Sequence, residues 1–246
     1  MKVKGAVALV TGGCGGLGSN IAEYLSDLGA KVVIADLHES SLERMPAKFA
    51  KYAFDVTEPE QVKASISSIF SSEGPIDILI NCAGTIDSAP FVNLMNPDEL
   101  MLSYQRFQNN LVVNLDSVFL VTSATVEHML RNRVKGCVVN ISSISSRGNE
   151  GQTSYSAAKA AVNALTVTWS KELGKMGIRV NGIAPGFIET ESTGHALSSQ
   201  HIDHIVSNTP LRRLGKASEI SKAVVSLIDN DFINGATLDV NGGLTF

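Results

Sequence analysis

Six short β-branched runs recur along this chain at intervals far too long for hairpin turns, and the intervals are filled by segments of helical spacing. The runs are residues 6–11 (AVALVT), 31–36 (KVVIAD), 76–81 (IDILIN), 136–142 (GCVVNIS), 178–184 (IRVNGIA) and 236–240 (ATLDV), with a weaker one at 52–54. Most are near-continuous apolar stretches, not strict alternations, as expected of parallel strands covered on both faces. Residues 17–28, 59–70, 97–130 and 155–173 carry the helical pattern. This βαβα rhythm predicts an α/β fold, a doubly wound parallel sheet of about seven strands with helices on both faces and right-handed crossovers. A 246-residue chain that is 44% hydrophobic and 18% charged suits one such core, so residues 1–246 are read as a single domain. No repeat, linker or low-complexity tract interrupts it.

In open sheets of this kind ligands bind at the carboxyl edge of the strands, and two sequence features fall there. The first is TGGCGGLG, residues 11–18. It fits G-x-G-x-x-G through Gly13, Gly15 and Gly18, and T-G-x-x-x-G-x-G through Thr11, Gly12, Gly16 and Gly18. In either register, glycines let the backbone approach a pyrophosphate whose charge meets the free N–H groups of the following helix. A tight strand-to-helix turn would also use glycines. The context, a loop opening a βαβ unit whose second strand closes on Asp36, favours a dinucleotide. A carboxylate at that point accepts hydrogen bonds from the adenosine ribose and repels a 2′-phosphate. Neither GGCGG nor ADLHES holds a Lys or Arg, only His38, so the expected cofactor is NAD(H). The plainer reading makes Asp36 a turn residue.

The second feature is SYSAAKAAV, with Tyr155 and Lys159 four apart at the start of a predicted helix. Residues at i and i+4 share a helix face, so the ammonium can lie near the phenol and favour its ionised form. Such a tyrosine can pass a proton to or from a substrate oxygen while a nicotinamide carries hydride. The pair alone is weak evidence. Its position strengthens it, because twelve residues earlier the strand-end sequence NISS offers the Ser143 hydroxyl to orient that oxygen.

Several function classes are disfavoured. A net charge of −4 and a pI near 5.7 give no general basic field for nucleic acid or anionic membranes. Cys14, Cys82 and Cys137 are scattered, with no C-x-x-C pair, which suggests neither a disulfide framework nor a zinc site and fits a reducing cytoplasm. No signal-peptide pattern or run of about 18 apolar residues is present, so a soluble, cytoplasmic, unprocessed protein is expected. His195, His201 and His204 cluster in residues 191–211, yet no other ligands accompany them, and no metal is expected.

Together these motifs resemble the short-chain dehydrogenase/reductase family. The match covers almost the whole chain: T-G-x-x-x-G-x-G at 11–18, DV at Asp55 and Val56, NCAG at 81–84, VNL around Asn114, NISS at 140–143, Y-x-x-x-K at 155–159, RVNGIAPGFIET at 179–190 and FINGATLDVNGG near the end. The resemblance implies a Rossmann-type fold and selects the second glycine register. It implies that Tyr155 is the general acid/base, that Lys159 lowers its pKa and holds the nicotinamide ribose, that Ser143 positions the substrate oxygen and that Asn114 anchors a proton-relay water. The spacing common in relatives would select Ser142, but aligning NISS selects Ser143 with a one-residue deletion in the loop, and strand alternation sends Ser142 to the other face. The implied cofactor groove comprises Gly12, Gly16, Leu17, Gly18, Asp36, Leu37, Asp55, Val56, Asn81, Ala83, Gly84, Tyr155, Lys159, Pro185, Gly186, Ile188 and Thr190. NCAG departs from the commoner NNAG, and Cys82 is read there as a small buried residue.

Substrate identity is the least constrained. The pattern is similar to 3-oxoacyl carrier-protein reductases and 3-hydroxyacyl-CoA dehydrogenases, although Met176 stands where the former often carry arginine. A 3-hydroxyacyl or 3-oxoacyl thioester is the expected substrate. A steroid, sugar alcohol or other small hydroxy or keto compound is the alternative, and a non-catalytic nucleotide sensor or structural role is more remote. Residues 191–211 stand where relatives have a substrate lid, and 85–108 look longer than usual. The two long helices LVVNLDSVFLVTSATVEHML and SAAKAAVNALTVTWSKEL carry apolar residues beyond one core-facing stripe. With the resemblance, that implies a homotetramer, or failing that a homodimer.

Overall fold

A computed structural model of the chain describes residues 1–190 and 198–246. Its centre is a seven-stranded, wholly parallel sheet in the order β3-β2-β1-β4-β5-β6-β9. The strands are β1 (Val7–Thr11), β2 (Lys31–Asp36), β3 (Ala50–Ala53), β4 (Ile78–Asn81), β5 (Cys137–Ile141), β6 (Arg179–Pro185) and β9 (Thr237–Val240). The predicted architecture is therefore observed. The chain order reverses beside β1, between β1 and β4, the switch point at which doubly wound sheets open a crevice at their carboxyl edge.

The continuous apolar runs are explained by burial on both sides. All five residues of β1 are buried, and successive side chains point to opposite faces. Ala8 and Val10 pack with Val32, Ile34, Ile78 and Ile80 against helices α1 (Gly16–Asp27) and α8 (Ala217–Asp229). Leu9 packs on the other face with Val33, Leu79, Val138 and Val180 against α3 (Pro59–Glu73), α5 (Ser117–Arg131) and α6 (Thr153–Leu173).

Residues 97–130 are not one helix. Pro97–Glu99 form a single 3₁₀ turn, followed by α4 (Tyr104–Leu111), a π-turn (Val112–Asp116) and α5. The cause lies upstream: residues 91–102 fold back as a hairpin, in which Asn93 N donates to Leu100 O at 2.7 Å and Leu102 N to Phe91 O at 2.9 Å. Ser103 then caps a new helix, its hydroxyl accepting from Arg106 N at 3.3 Å. The sequence pattern also left unread the short helix α2 (Glu39–Glu43), α7 (Ser199–Asn208), α8 and a two-stranded ribbon of β7 (Ile188–Glu189) with β8 (Gly215–Lys216). Among the described residues no helix is long and apolar enough to cross a membrane.

Candidate active site

The β1–α1 turn is shaped by contacts that leave no space for side chains at most of its glycines. Gly12 has φ +64°, and a β-carbon there would stand 2.8 Å from Ala83 Cα. One on Gly18 would overlap the Gly12 carbonyl oxygen. A β-carbon on Gly16 would meet Thr190 Cβ at 3.1 Å, so the turn faces the chain leaving β7. Gly13 is also confined, against Ile34, whereas Gly15 has ordinary clearance at 3.4 Å. Gly15 caps α1 without a side-chain bond, and the N–H groups of the first helical turn, through Leu17, have no intrahelical partner by construction. That is a ready anion site. The Thr11 hydroxyl joins this turn to the end of β4, accepting from Cys82 N at 3.1 Å and Ala83 N at 3.2 Å.

Asp36, at the end of β2, accepts from Cys14 N through Oδ2 and from Leu37 N through Oδ1, both at 2.9 Å. The carboxylate is thus fixed beside the glycine turn with lone pairs to spare. Leu37 is exposed next to it. Arg44 and Lys51 stand within electrostatic reach of Cys14, although neither lies in the two segments that the sequence reading searched for cations. Lys51 donates to Met45 O at 2.5 Å and Arg44 to the Ser41 hydroxyl at 3.1 Å. Asp55 is held by Thr57, whose N and Oγ1 donate to Oδ1 at 2.8 and 2.7 Å, and Val56 packs half-buried against the core.

Asn81 serves the sheet as much as the groove. Its Nδ2 donates to Thr122 Oγ1 and to Asn140 Oδ1, both at 2.8 Å, and Asn140 Nδ2 continues to Thr166 Oγ1 at 2.9 Å. These buried amides tie α5, β4, β5 and α6 together. Further along, the Pro185–Gly186 turn packs against the C-terminal segment, where a β-carbon on Gly186 would lie 2.8 Å from Asn241 Cα. Ile188 is buried on β7.

Ser143, Tyr155, Lys159 and Asn114 converge near the ends of β4 and β5. Tyr155 and Lys159 lie on one face of α6, with Lys159 Nζ 5.7 Å from the phenol ring centre. Both are buried. Lys159 donates to Ile141 O at 3.0 Å, and burial pushes its pKa down to about 8. Burial also pushes the Tyr155 phenol up, an effect opposed by the adjacent Ser143 hydroxyl. The phenol thus moves opposite to the lowering anticipated from the spacing of Lys159, because desolvation dominates. Ser143, not Ser142, neighbours the phenol; Ser142 Oγ instead donates to Lys159 O at 3.2 Å. Asn114 sits in the π-turn, fully buried, its Oδ1 accepting from Thr85 N at 3.2 Å. A β-carbon on Gly84 would come within 2.7 Å of Asn114 Oδ1 and 3.6 Å of Lys159 Nζ. Cys82 lies close enough to interact electrostatically with Lys159 and Asp36, and burial pushes its thiol up to about 12.

A cavity of about 430 Å³ opens between β7, the 209–213 segment and residues 239–243, but its lining includes none of Ser143, Tyr155 and Lys159. His201 and His204 lie on α7; His195 is outside the described residues. Among the described residues no group of three or more His, Cys, Asp or Glu is placed to hold a metal.

A glycine-lined anion site at the switch point, leading to a buried Ser-Tyr-Lys cluster at the strand ends, defines a dinucleotide-dependent oxidoreductase of CH–OH groups. The chain belongs to the short-chain dehydrogenase/reductase family, whose members use a nicotinamide cofactor. A family model described as enoyl-(acyl carrier protein) reductase matches residues 12–245. Similar curated proteins include the 3-oxoacyl-(acyl-carrier-protein) reductases FabG of Haemophilus influenzae, 38% identical over 98% of this chain and 99% of that one, and of Thermotoga maritima, 34% identical over 99% of both. The FabG of Escherichia coli is 35% identical, again over 99% of both. Among solved structures, the crystal structure of gox2181 superposes with a TM-score of 0.89 at 29% identity, covering 98% of this chain and 97% of that one.

Proposed function

We propose that the protein interconverts a 3-oxoacyl and a 3-hydroxyacyl thioester using NAD(H), within a single domain and with Tyr155 as general acid/base. The observation that carries the reaction class is the convergence of Ser143, Tyr155 and Lys159 beside Gly84 and Asn114. When bound along the groove, the nicotinamide supplies or accepts the hydride. Ser143 donates a hydrogen bond to the substrate oxygen and holds it against the phenol. In reduction the Tyr155 hydroxyl gives its proton to that oxygen as negative charge develops there. Burial, which keeps the phenol protonated at neutral pH, suits that direction. Lys159 then stabilises the phenolate, and a solvent proton returns to it through Lys159 by way of a water anchored by Asn114.

The choice of NAD(H) rests on Asp36 and on the absence of a Lys or Arg in residues 12–16 and 35–40. The thioester reading rests on the names of the FabG relatives. A small-molecule substrate, a cytoplasmic setting without nucleic-acid or membrane partners, and a homotetramer complete the proposal. The test is NADH oxidation with acetoacetyl and crotonyl thioesters, a steroid ketone and a sugar ketone. Turnover of acetoacetyl thioester above the others supports the reading, whereas preference for the crotonyl ester would make the enzyme an enoyl reductase.

A further inference from the structure

The carboxamide of Asn114 is locked in one orientation. Thr85 binds both ends of it: Thr85 N donates to Asn114 Oδ1 at 3.2 Å, and Asn114 Nδ2 donates to Thr85 O at 2.9 Å. Rotating the amide by half a turn would set donor against donor and acceptor against acceptor. The second hydrogen of Asn114 Nδ2 therefore needs an acceptor on its other side. Asn110, one turn earlier on α4, provides it, with its backbone oxygen and its side-chain Oδ1 both at 3.2 Å.

That requirement fixes Asn110 in turn. It must present Oδ1 to Asn114, which leaves its own Nδ2 buried and without a hydrogen-bond partner among the described residues. The residue is only 4% exposed. An unpaired buried donor is costly, and an apolar side chain of the same size would avoid the cost. The position is therefore poorly explained by stability alone.

Building on the function proposed above, we infer that Asn110 is a positioning residue for the proton relay: its Oδ1 holds the Asn114 amide with Oδ1 turned toward Gly84 and Lys159. The π-turn that begins two residues later makes this support necessary. Its i→i+5 pattern, seen where Ser117 N donates to Val112 O, widens the helix and loosens the regular backbone frame around Asn114.

The inference is tested with Asn110→Leu and Asn110→Asp. The leucine keeps the branched shape but removes the side-chain acceptor, leaving only the backbone oxygen of residue 110, so kcat should fall about tenfold, a modest share of what a positioned acid/base supplies. The KM for NADH should stay within about twofold, and the solvent deuterium isotope effect on kcat should rise as proton delivery becomes limiting. Thermal stability should be equal or higher. Asn110→Asp keeps an acceptor oxygen facing Asn114 and should recover most of the lost kcat. An Asn110→Leu enzyme with unchanged kcat and isotope effect overturns the inference, as does a kcat loss that tracks a fall in melting temperature and is not recovered by aspartate. Tyr155→Phe, assayed in parallel, separates the two levels. If it keeps near-normal turnover, the proposed chemistry and this inference fail together; if it is inactive while Asn110→Leu is normal, only the role of Asn110 fails.

Discussion

Lys159 Nζ lies 3.0 Å from the carbonyl oxygen of Ile141, and this is its single hydrogen bond among the described residues. A buried ammonium with one partner is under-compensated, because burial penalises the charged form. Its pKa of about 8, against an ordinary value of 10.5, expresses that penalty.

The consequence for stability has a definite sign. Below about pH 8 the lysine is charged in both folded and unfolded chains, and the whole penalty is present. Between about 8 and 10.5 the unfolded chain holds a proton that the folded one lacks, so this residue's contribution to stability rises with pH. Lys159→Met should therefore stabilise the empty protein at pH 7 by up to about 3 kcal/mol, and the advantage should shrink by pH 10, while turnover is lost. Urea denaturation at the two pH values checks it; a methionine variant less stable at pH 7 would contradict the account.

Cofactor choice is predicted to turn on Asp36. Two charge-assisted hydrogen bonds to the ribose at roughly 1.5 to 3 kcal/mol each correspond to a preference for NADH of about a hundredfold or more. Asp36→Ala should narrow the ratio of kcat/KM for the two cofactors, and adding Leu37→Arg should tilt it toward NADPH. Because Asp36 also binds Cys14 N and Leu37 N, the alanine variant should lose some stability as well. Lost stability with an unaltered ratio would leave Asp36 a turn residue only, and a wild type preferring NADPH would overturn the assignment.

The glycines of the turn should be unequal. Gly18→Ala would drive a methyl group into the Gly12 carbonyl and should weaken NADH binding at least about tenfold, more than one kcal/mol. Gly15→Ala has clearance at 3.4 Å and should bind NADH nearly as the wild type does. Fluorescence titration with NADH compares the two, and equal losses would refute the packing argument.

Assembly is predicted to use the outer faces of α5 and α6. Phe119 is half exposed beside Trp169, their ring centres 6.5 Å apart, and Val167 on the neighbouring helix is exposed too. Exposed apolar side chains on two adjacent helices suit a protein partner. Light scattering should give a multiple of the 26.1 kDa chain mass, reduced by Phe119→Asp. A monomeric wild type would end this proposal.

What could be read from the sequence followed from local pattern. The central strands β1, β2, β4, β5 and β6 were legible because they are largely buried, whereas the edge strands β3 and β9 are only partly covered; Tyr155 and Lys159 stand out by their i, i+4 spacing and Ser143 by the NISS sequence. The start of α4 only at Tyr104 was not legible, since it depends on a backbone hairpin at 91–102 whose hydrogen bonds leave no periodic trace. Helix α8 carries ordinary amphipathic spacing at Ile220, Val224, Leu227 and Ile228 and is legible in the sequence on that pattern. The side-chain duties of Asn81 and the approach of Arg44 and Lys51 to the glycine turn arise only from tertiary packing. Asn110 left a trace: a second asparagine four residues before Asn114, at helical spacing.

The amide rung joining Asn81 to Asn140 also acts as an alignment key. These two residues are direct register partners across β4 and β5, each with a further bond to a helix threonine. A slip of one residue in either strand would turn that strand's carboxamide to the opposite face of the sheet, strand it in an apolar layer and leave its partner unpaired across the sheet. Misaligned chains are thereby penalised before any ligand is present. Because Ser143 lies just beyond β5 and Gly84 just beyond β4, the same penalty guards the relative height of the two strand ends between which the reaction is proposed to occur.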